Sequence, residues 1–154
     1  MASLARLTGW IAVSFLPALI GAPFTAPKWY RSLRRPDWAP PGWLFGPVWS
    51  LLYLLMAVAA WRVHGAGPRS RTALSLFGVQ LALNAAWTPV FFGLRRIDLA
   101  LIEIAATWFA IGATVVAFAR IRLGAALLLL PYLAWVTFAS VLNWSIWRRN
   151  RDRA

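Results

Sequence analysis

The sequence sets its polar and aromatic side chains at helical spacing inside runs that are otherwise apolar. Gln80 and Asn84 are one turn apart, and Trp87 follows at the next i+3 step on the same face. Trp135, Ala139 and Asn143 fall at i, i+4 and i+8, which puts an aromatic ring, a small gap and an amide in one stripe. Trp49 and Tyr53 stand one turn apart, below Pro47. Amides, indoles and phenols of this kind offer stacking surface and hydrogen bonds, which is the chemistry of binding. An amide in hydrocarbon is costly unless bonded, so Gln80 and Asn84 should point inward, either tying neighbouring helices or facing a ligand. The Trp135 stripe also has two readings: a cavity wall, or a close helix approach permitted by Ala139.

Groups suited to covalent or acid–base chemistry are scarce. Glu103 is the only acid well within an apolar run, and its nearness to Arg95 and Arg96 predicts a surface ion pair; a proton-relay transporter finds no deep basic partner. His64, the single histidine, has no Cys, His or carboxylate companion, so no metal site is expected. The absence of a Ser/His/Asp set, a glycine-rich phosphate loop and a carboxylate pair argues against hydrolase and kinase classes. With no Cys, neither a disulfide framework nor thiolate chemistry is available.

The elements that must position these residues follow from composition. Of 154 residues 61% are hydrophobic, 11 are Trp, and the formal net charge is +12, a balance that excludes an ordinary soluble domain. Five runs lack Lys and Arg for roughly 18 residues or more, the length a helix needs to cross a ~30 Å core. They lie near residues 7–26, 43–61, 72–94, 99–119 and 123–147. None alternates as a membrane β-strand would. The expected fold is therefore an all-α integral membrane protein, a bundle of five transmembrane helices forming one domain over 1–154. The first run is too long for the apolar part of a secretory signal and is kept as a helix. Pro17, Pro47, Pro89 and Pro131 lie in or near the ends of these runs, and each should tend to kink its helix and open space in the bundle.

The long connection is "PKWYRSLRRPDWAPP", residues 27–41, where four prolines forbid a continuous helix and Trp29, Tyr30 and Trp38 add apolar bulk. Such a loop should lie on the membrane interface or on the mouth of the bundle. Trp10, Trp61, Trp144 and Trp147, near span ends, suit an interfacial belt, whereas Trp49 and Trp135 sit deeper. Ten Lys and Arg residues fall on the side of the first loop and the C-terminus: Lys28, Arg31, Arg34, Arg35, Arg95, Arg96, Arg148, Arg149, Arg151 and Arg153. Six fall on the other, so the C-terminus is expected in the cytoplasm. The basic residues are scattered over every loop, which suits anionic headgroups and disfavours nucleic acid as a partner.

Three ordered motifs carry a resemblance: "KWY…RPDWAPPGWLFGPVW…LY…A…W", "LNAAWTPVFFGLRR…AL" and "PYLAWVTFASVLNW…W". Together they resemble the TspO/MBR family of tryptophan-rich sensory proteins and translocator proteins, the peripheral-type benzodiazepine receptors. The likeness runs from Lys28 to Trp147, the first helix matching only in character. It implies a five-helix bundle, usually a homodimer, whose cavity opens toward the first loop and binds tetrapyrroles such as protoporphyrin IX and haem, with sterols, lipids and synthetic ligands besides. Carried over by motif, Trp38 resembles a loop tryptophan that lids the pocket. Gln80, Asn84, Ala139 and Asn143 fall on ligand-facing positions, and Trp49 and Trp135 resemble two cavity tryptophans linked to light-dependent porphyrin breakdown. The sterol pattern of animal members has a tyrosine where "VLNWSIWR" has Trp144.

The expected function is a membrane receptor or binding protein for tetrapyrroles in sensing, sequestration or transport under stress. Porphyrin or haem would be its ligand, and no cofactor is required. Two alternatives remain: an enzyme that degrades protoporphyrin IX in light through Trp49 and Trp135, and a structural partner in a membrane complex. A helical bundle favours the inner membrane of a bacterium.

Overall fold

Among the described residues seven α-helices form: α1 (Ala2–Ser14), α2 (Leu16–Gly21), α3 (Pro27–Ser32), α4 (Phe45–Val63), α5 (Arg69–Thr88), α6 (Ile97–Ala119) and α7 (Leu123–Arg149). The computed structural model describes residues 2–151, so Arg153 of the charge comparison lies outside them. Among the described residues five helical stretches are long and apolar enough to cross a bilayer: Ser3–Phe24, Gly42–Val63, Arg69–Gly93, Ile97–Ala119 and Leu123–Arg149. These are the five expected runs, shifted at their ends by about one turn at most.

The prolines act according to position. Pro17 lies in the first turn of α2, and Phe15 separates α2 from α1 within the first span. Pro47 falls in the first turn of α4, where the missing N–H would have no partner in any case, so no kink is required there. Pro89 opens a π-turn, Pro89–Gly93, that closes the third span. Pro131 sits inside α7, which continues through it.

Packing closes the spans into a ring. α1 packs on α4, α4 on α7, α7 on α6, α6 on α5, and α5 on α2, which orders the spans one, two, five, four, three. Lipid tails are as apolar as the side chains, so this association depends on close fit and interhelical hydrogen bonds. Ala57, Ala59 and Ala60 are fully buried on α4 and let its neighbours approach, while Phe77 of α5 stacks on Phe118 of α6 at 6.0 Å. Indole Nε1 of Trp108 donates to Thr137 Oγ1 at 2.8 Å and ties α6 to α7.

The first loop lies on the end of the bundle. α3 begins at Pro27, whose fixed φ suits a first helical position, and it lays Trp29 against Phe91 at 5.5 Å and Tyr30 against Phe92 at 5.8 Å. Beyond it, Asn150 clasps the loop. Its Oδ1 accepts from Arg34 N at 3.0 Å, and its Nδ2 donates to Arg34 O at 2.9 Å and to Ile146 O at 2.7 Å. At the far end, Gly65 and Gly67 take φ of 76° and 101° in the turn between α4 and α5.

An Asn150→Ala change should free the loop without unfolding the bundle. Losing these bonds, at about 1 kcal/mol net each, should speed limited trypsin cleavage at Arg31 or Arg34 by about tenfold or more. An unchanged cleavage rate would mean that the aromatic contacts alone hold the loop.

Candidate functional site

Within the half of the bundle nearer the first loop lies a cavity of about 410 Å³, in the size range of small-molecule sites. All five spans build it. The first gives Phe15, Pro17, Ala18, Gly21 and Ala22, and α4 gives Phe45, Gly46, Trp49, Ser50 and Tyr53. The end of α5 gives Asn84, Trp87 and Thr88, α6 gives Glu103, Ile104 and Thr107, and α7 gives Trp135, Val136 and Ala139. The break at Phe15 and the π-turn after Thr88 interrupt two neighbouring spans at this level, and interrupted helices do not pack flush. The two spans still meet at one point, where a Cβ on Gly21 would stand 3.1 Å from the Thr88 side chain.

Aromatic rings dominate the wall. Trp49 stacks on Tyr53 at 5.4 Å and meets Tyr132 edge-on at 6.0 Å. Trp87 stacks on Phe91 at 4.7 Å, and Phe91 in turn touches Trp29 of the loop helix. Trp135 is flanked by Phe45 at 5.8 Å and Phe138 at 5.3 Å. Outside the membrane, partial burial raises the Tyr30 phenol above its ordinary value against the opposing pull of Arg35, so it stays neutral.

A polar knot lies beneath the aromatic wall. Tyr53 donates through its hydroxyl to Asn84 Oδ1 at 3.0 Å, Asn84 Nδ2 donates to the Tyr132 hydroxyl at 3.1 Å, and that hydroxyl donates to Gln80 Oε1 at 2.8 Å. Gln80 Nε2 ends the chain 3.9 Å from Met56 Sδ. Three helices, α4, α5 and α7, are thereby joined by buried bonds.

Of the residues singled out in the sequence, Trp49, Tyr53, Asn84, Trp87, Trp135 and Ala139 share the cavity wall. Gln80, Asn143 and Trp38 do not. Gln80 is buried one turn deeper and held by Tyr132, which is the helix-tying reading of that amide. Asn143 is buried one turn beyond Ala139, its amide without a hydrogen-bond partner. Trp38 is 50% exposed and rests on Phe138 at 5.9 Å, one ring removed from Trp135, so it lies outside the wall rather than over it.

The surface ion pair expected for Glu103 is not formed. Arg96 instead grips Asp98 through Nε at 2.9 Å and Nη2 at 2.6 Å, two residues along the chain. Glu103 turns inward because it shares a helical face with Thr107, whose hydroxyl donates to its Oε1 at 2.7 Å. Glu103 Oε2, Trp87 Nε1 and Trp135 Nε1 are buried without partners, which leaves two donors and one acceptor on residues of the wall. A pattern of Glu and Thr at i and i+4 was the available signal for Glu103; the wall contributed by the first span had only Pro17 to announce it.

Such a chamber can hold a flat, mostly apolar ring by its faces and anchor polar edges. Its wall offers no imidazole, thiol or thioether. Residues 8–148 match the model of the TspO/MBR family, a match that takes in the first helix, where the motifs had reached only from Lys28. The chain is 42% identical to protein CrtK of Rhodobacter capsulatus, over 84% of this chain and 83% of that one. It is 40% identical to the tryptophan-rich sensory protein of Cereibacter sphaeroides (94% and 90% covered), and 42% identical to the translocator protein of Homo sapiens (80% and 75%).

Proposed function

The chain belongs to the TspO/MBR family, and from that premise we propose that this multi-pass integral membrane protein binds a tetrapyrrole such as protoporphyrin IX or haem in the cavity between its helices. The observation that carries the reading is the cavity itself, in which Trp49, Trp87 and Trp135 come from three different helices and leave room between them. A porphyrin presents a large π-face, and each aromatic pairing adds about 0.5–1.5 kcal/mol beyond area burial. Its propionates would lie toward the first loop, where Lys28, Arg31, Arg34 and Arg35 offer charge-assisted partners. The working unit is a homodimer in the inner membrane of a bacterium, with loop and C-terminus in the cytoplasm.

Binding of this kind serves sensing, sequestration or transport without a further cofactor. Because the wall lacks the imidazole, thiolate or thioether that commonly hold haem iron, and its one phenol, Tyr53, is engaged with Asn84, metal-free protoporphyrin IX should bind as tightly as haem, within a few-fold. Competition between the two in detergent checks this, and haem binding tighter by a hundredfold would overturn it.

A second reading, light-dependent breakdown of the porphyrin, draws support from the contact of Trp49 with Tyr53 and Tyr132, since adjacent indole and phenol rings can share an oxidising equivalent. One experiment separates the two. Purified protein is titrated with protoporphyrin IX in darkness and then under light, beside a Trp49→Phe, Trp135→Phe double variant. Saturable binding with equal bleaching in both proteins supports a binder, bleaching that needs both tryptophans supports an enzyme, and no saturable binding refutes the tetrapyrrole reading.

A further inference from the structure

At the end of the bundle away from the first loop, α5 and α6 leave a groove of about 560 Å³ lined by Arg69, Thr72, Ala73, Ala117 and Arg120. The first three stand on the opening turn of α5 and the other two at the close of α6. Two guanidiniums facing one groove repel each other unless an anion lies between them. Among the described residues none stands at that end. Its four acids are Asp37 in the first loop, Asp98 and Glu103 near the start of α6, and Asp152 after α7, whereas Arg6, Arg62, Arg69, Arg71, Arg120 and Arg122 share the opposite side. The Arg96–Asp98 ion pair is likewise at the loop end. Among the described residues neither Arg69 nor Arg120 has an acidic partner, which leaves both free to take an anion from outside the chain.

The surface below the groove indicates what brings it. On α6 the face of Arg120 continues through Val116 and Phe109, 52% and 70% exposed, and on α5 the face of Thr72 continues to Val79, 53% exposed. Arg120 and Phe109 are eleven residues apart, about 16 Å of helix, or roughly half the ~30 Å hydrocarbon core. A pair of cations thus stands above an apolar track about one leaflet deep.

We propose that this groove is a binding site for the phosphate of an anionic phospholipid, of the phosphatidylglycerol or cardiolipin class. Arg69, Arg120 and the Thr72 hydroxyl hold the phosphate while an acyl chain lies along Val116, Phe109 and Val79. The attraction is the one by which basic pockets between transmembrane helices take anionic headgroups at the cytoplasmic face, acting here in the opposite leaflet. A zwitterionic lipid carries an ammonium of its own that a second guanidinium repels, and a soluble phosphate gains nothing from the apolar track.

The test uses the purified full chain in neutral detergent and native mass spectrometry, with palmitoyl-oleoyl phosphatidylglycerol and the matching phosphatidylcholine as probes. Wild type should take phosphatidylglycerol about tenfold more tightly. Arg69→Gln with Arg120→Gln should abolish that preference, whereas Arg71→Gln with Arg122→Gln, which removes the same charge from the same end outside the groove, should keep it. Should the first pair fail to fold, as judged by helicity and elution, Arg69→Lys with Arg120→Lys keeps the charge and should retain most of the preference. Equal affinity of wild type for the two lipids overturns the proposal, as does an equal loss in the control pair, which would make the effect a diffuse field. Displacement of phosphatidylglycerol by millimolar inorganic phosphate also overturns it, in favour of a soluble anion.

Discussion

Replacing Trp49 and Trp135 together by alanine should weaken protoporphyrin IX binding by about a hundredfold or more while leaving the bundle folded. Both residues line the cavity, yet neither joins the hydrogen-bonded knot that ties α4, α5 and α7. Buried aromatic anchors of this kind are typically worth about 2 kcal/mol or more each when truncated, and 1.4 kcal/mol is a factor of ten. Trp38→Ala, by contrast, should cost no more than a few-fold, because that ring is half exposed and one aromatic removed from the wall. Fluorescence titration of the three proteins decides the matter. If Trp38→Ala proved as damaging as the cavity pair, the loop tryptophan would have to close over the ligand when it binds, and the arrangement described above would be the open form.

Tyr132→Phe should be the most destabilising single loss of one oxygen atom in the chain. Its hydroxyl is an acceptor for Asn84 Nδ2 and a donor to Gln80 Oε1, so removing it strands two buried amide groups at once. At about 1–3 kcal/mol for each stranded group the loss should be on the order of 2–4 kcal/mol, reduced toward the lower figure if the two amides find each other. Tyr53→Phe removes only the bond to Asn84 Oδ1 and should cost roughly half as much. The expected order in thermal unfolding in detergent is therefore wild type, then Tyr53→Phe, then Tyr132→Phe. The ligand should invert that order of importance, because Tyr53 lines the cavity and Tyr132 does not. An equal loss of stability in the two variants would mean that the knot does not act as a connected unit.

The five spans were legible in the sequence because a bilayer imposes length and apolarity on any helix that crosses it, and charge-free runs report both. Trp49, Tyr53, Asn84 and Trp135 were legible for a related reason: helical periodicity puts i and i+4 on one face, and polar or aromatic residues deep in hydrocarbon have few places to point. What periodicity does not give is which helix that face meets. Gln80 shares a face with Asn84 yet is consumed by Tyr132, because the partner phenol happens to stand one turn deeper. Proximity of Arg95 and Arg96 in the chain points Glu103 toward the surface, but the bond from Thr107 holds it inward and Arg96 pairs with Asp98 instead. Pro47 and Pro131 looked alike on paper. Only their position relative to helix ends separates a proline that costs nothing from one inside a continuous helix.

The ring order of the spans divides the labour of the molecule. The knot that holds the bundle runs through α4, α5 and α7, while Phe15, Pro17, Ala18, Gly21 and Ala22 form one side of the cavity on a span that contributes nothing to that knot. Phe15 packs on Tyr53 at 5.4 Å, Pro17 is buried and a Cβ on Gly21 would crowd Thr88, so the exposed Ala18 and Ala22 are the positions where substitutions alter the chamber at little cost to folding. The first helix is therefore the part of this architecture with the greatest freedom to diversify: a lineage can exchange one ligand for another by rewriting a single wall, and an engineer seeking new selectivity has a small, separable library to build.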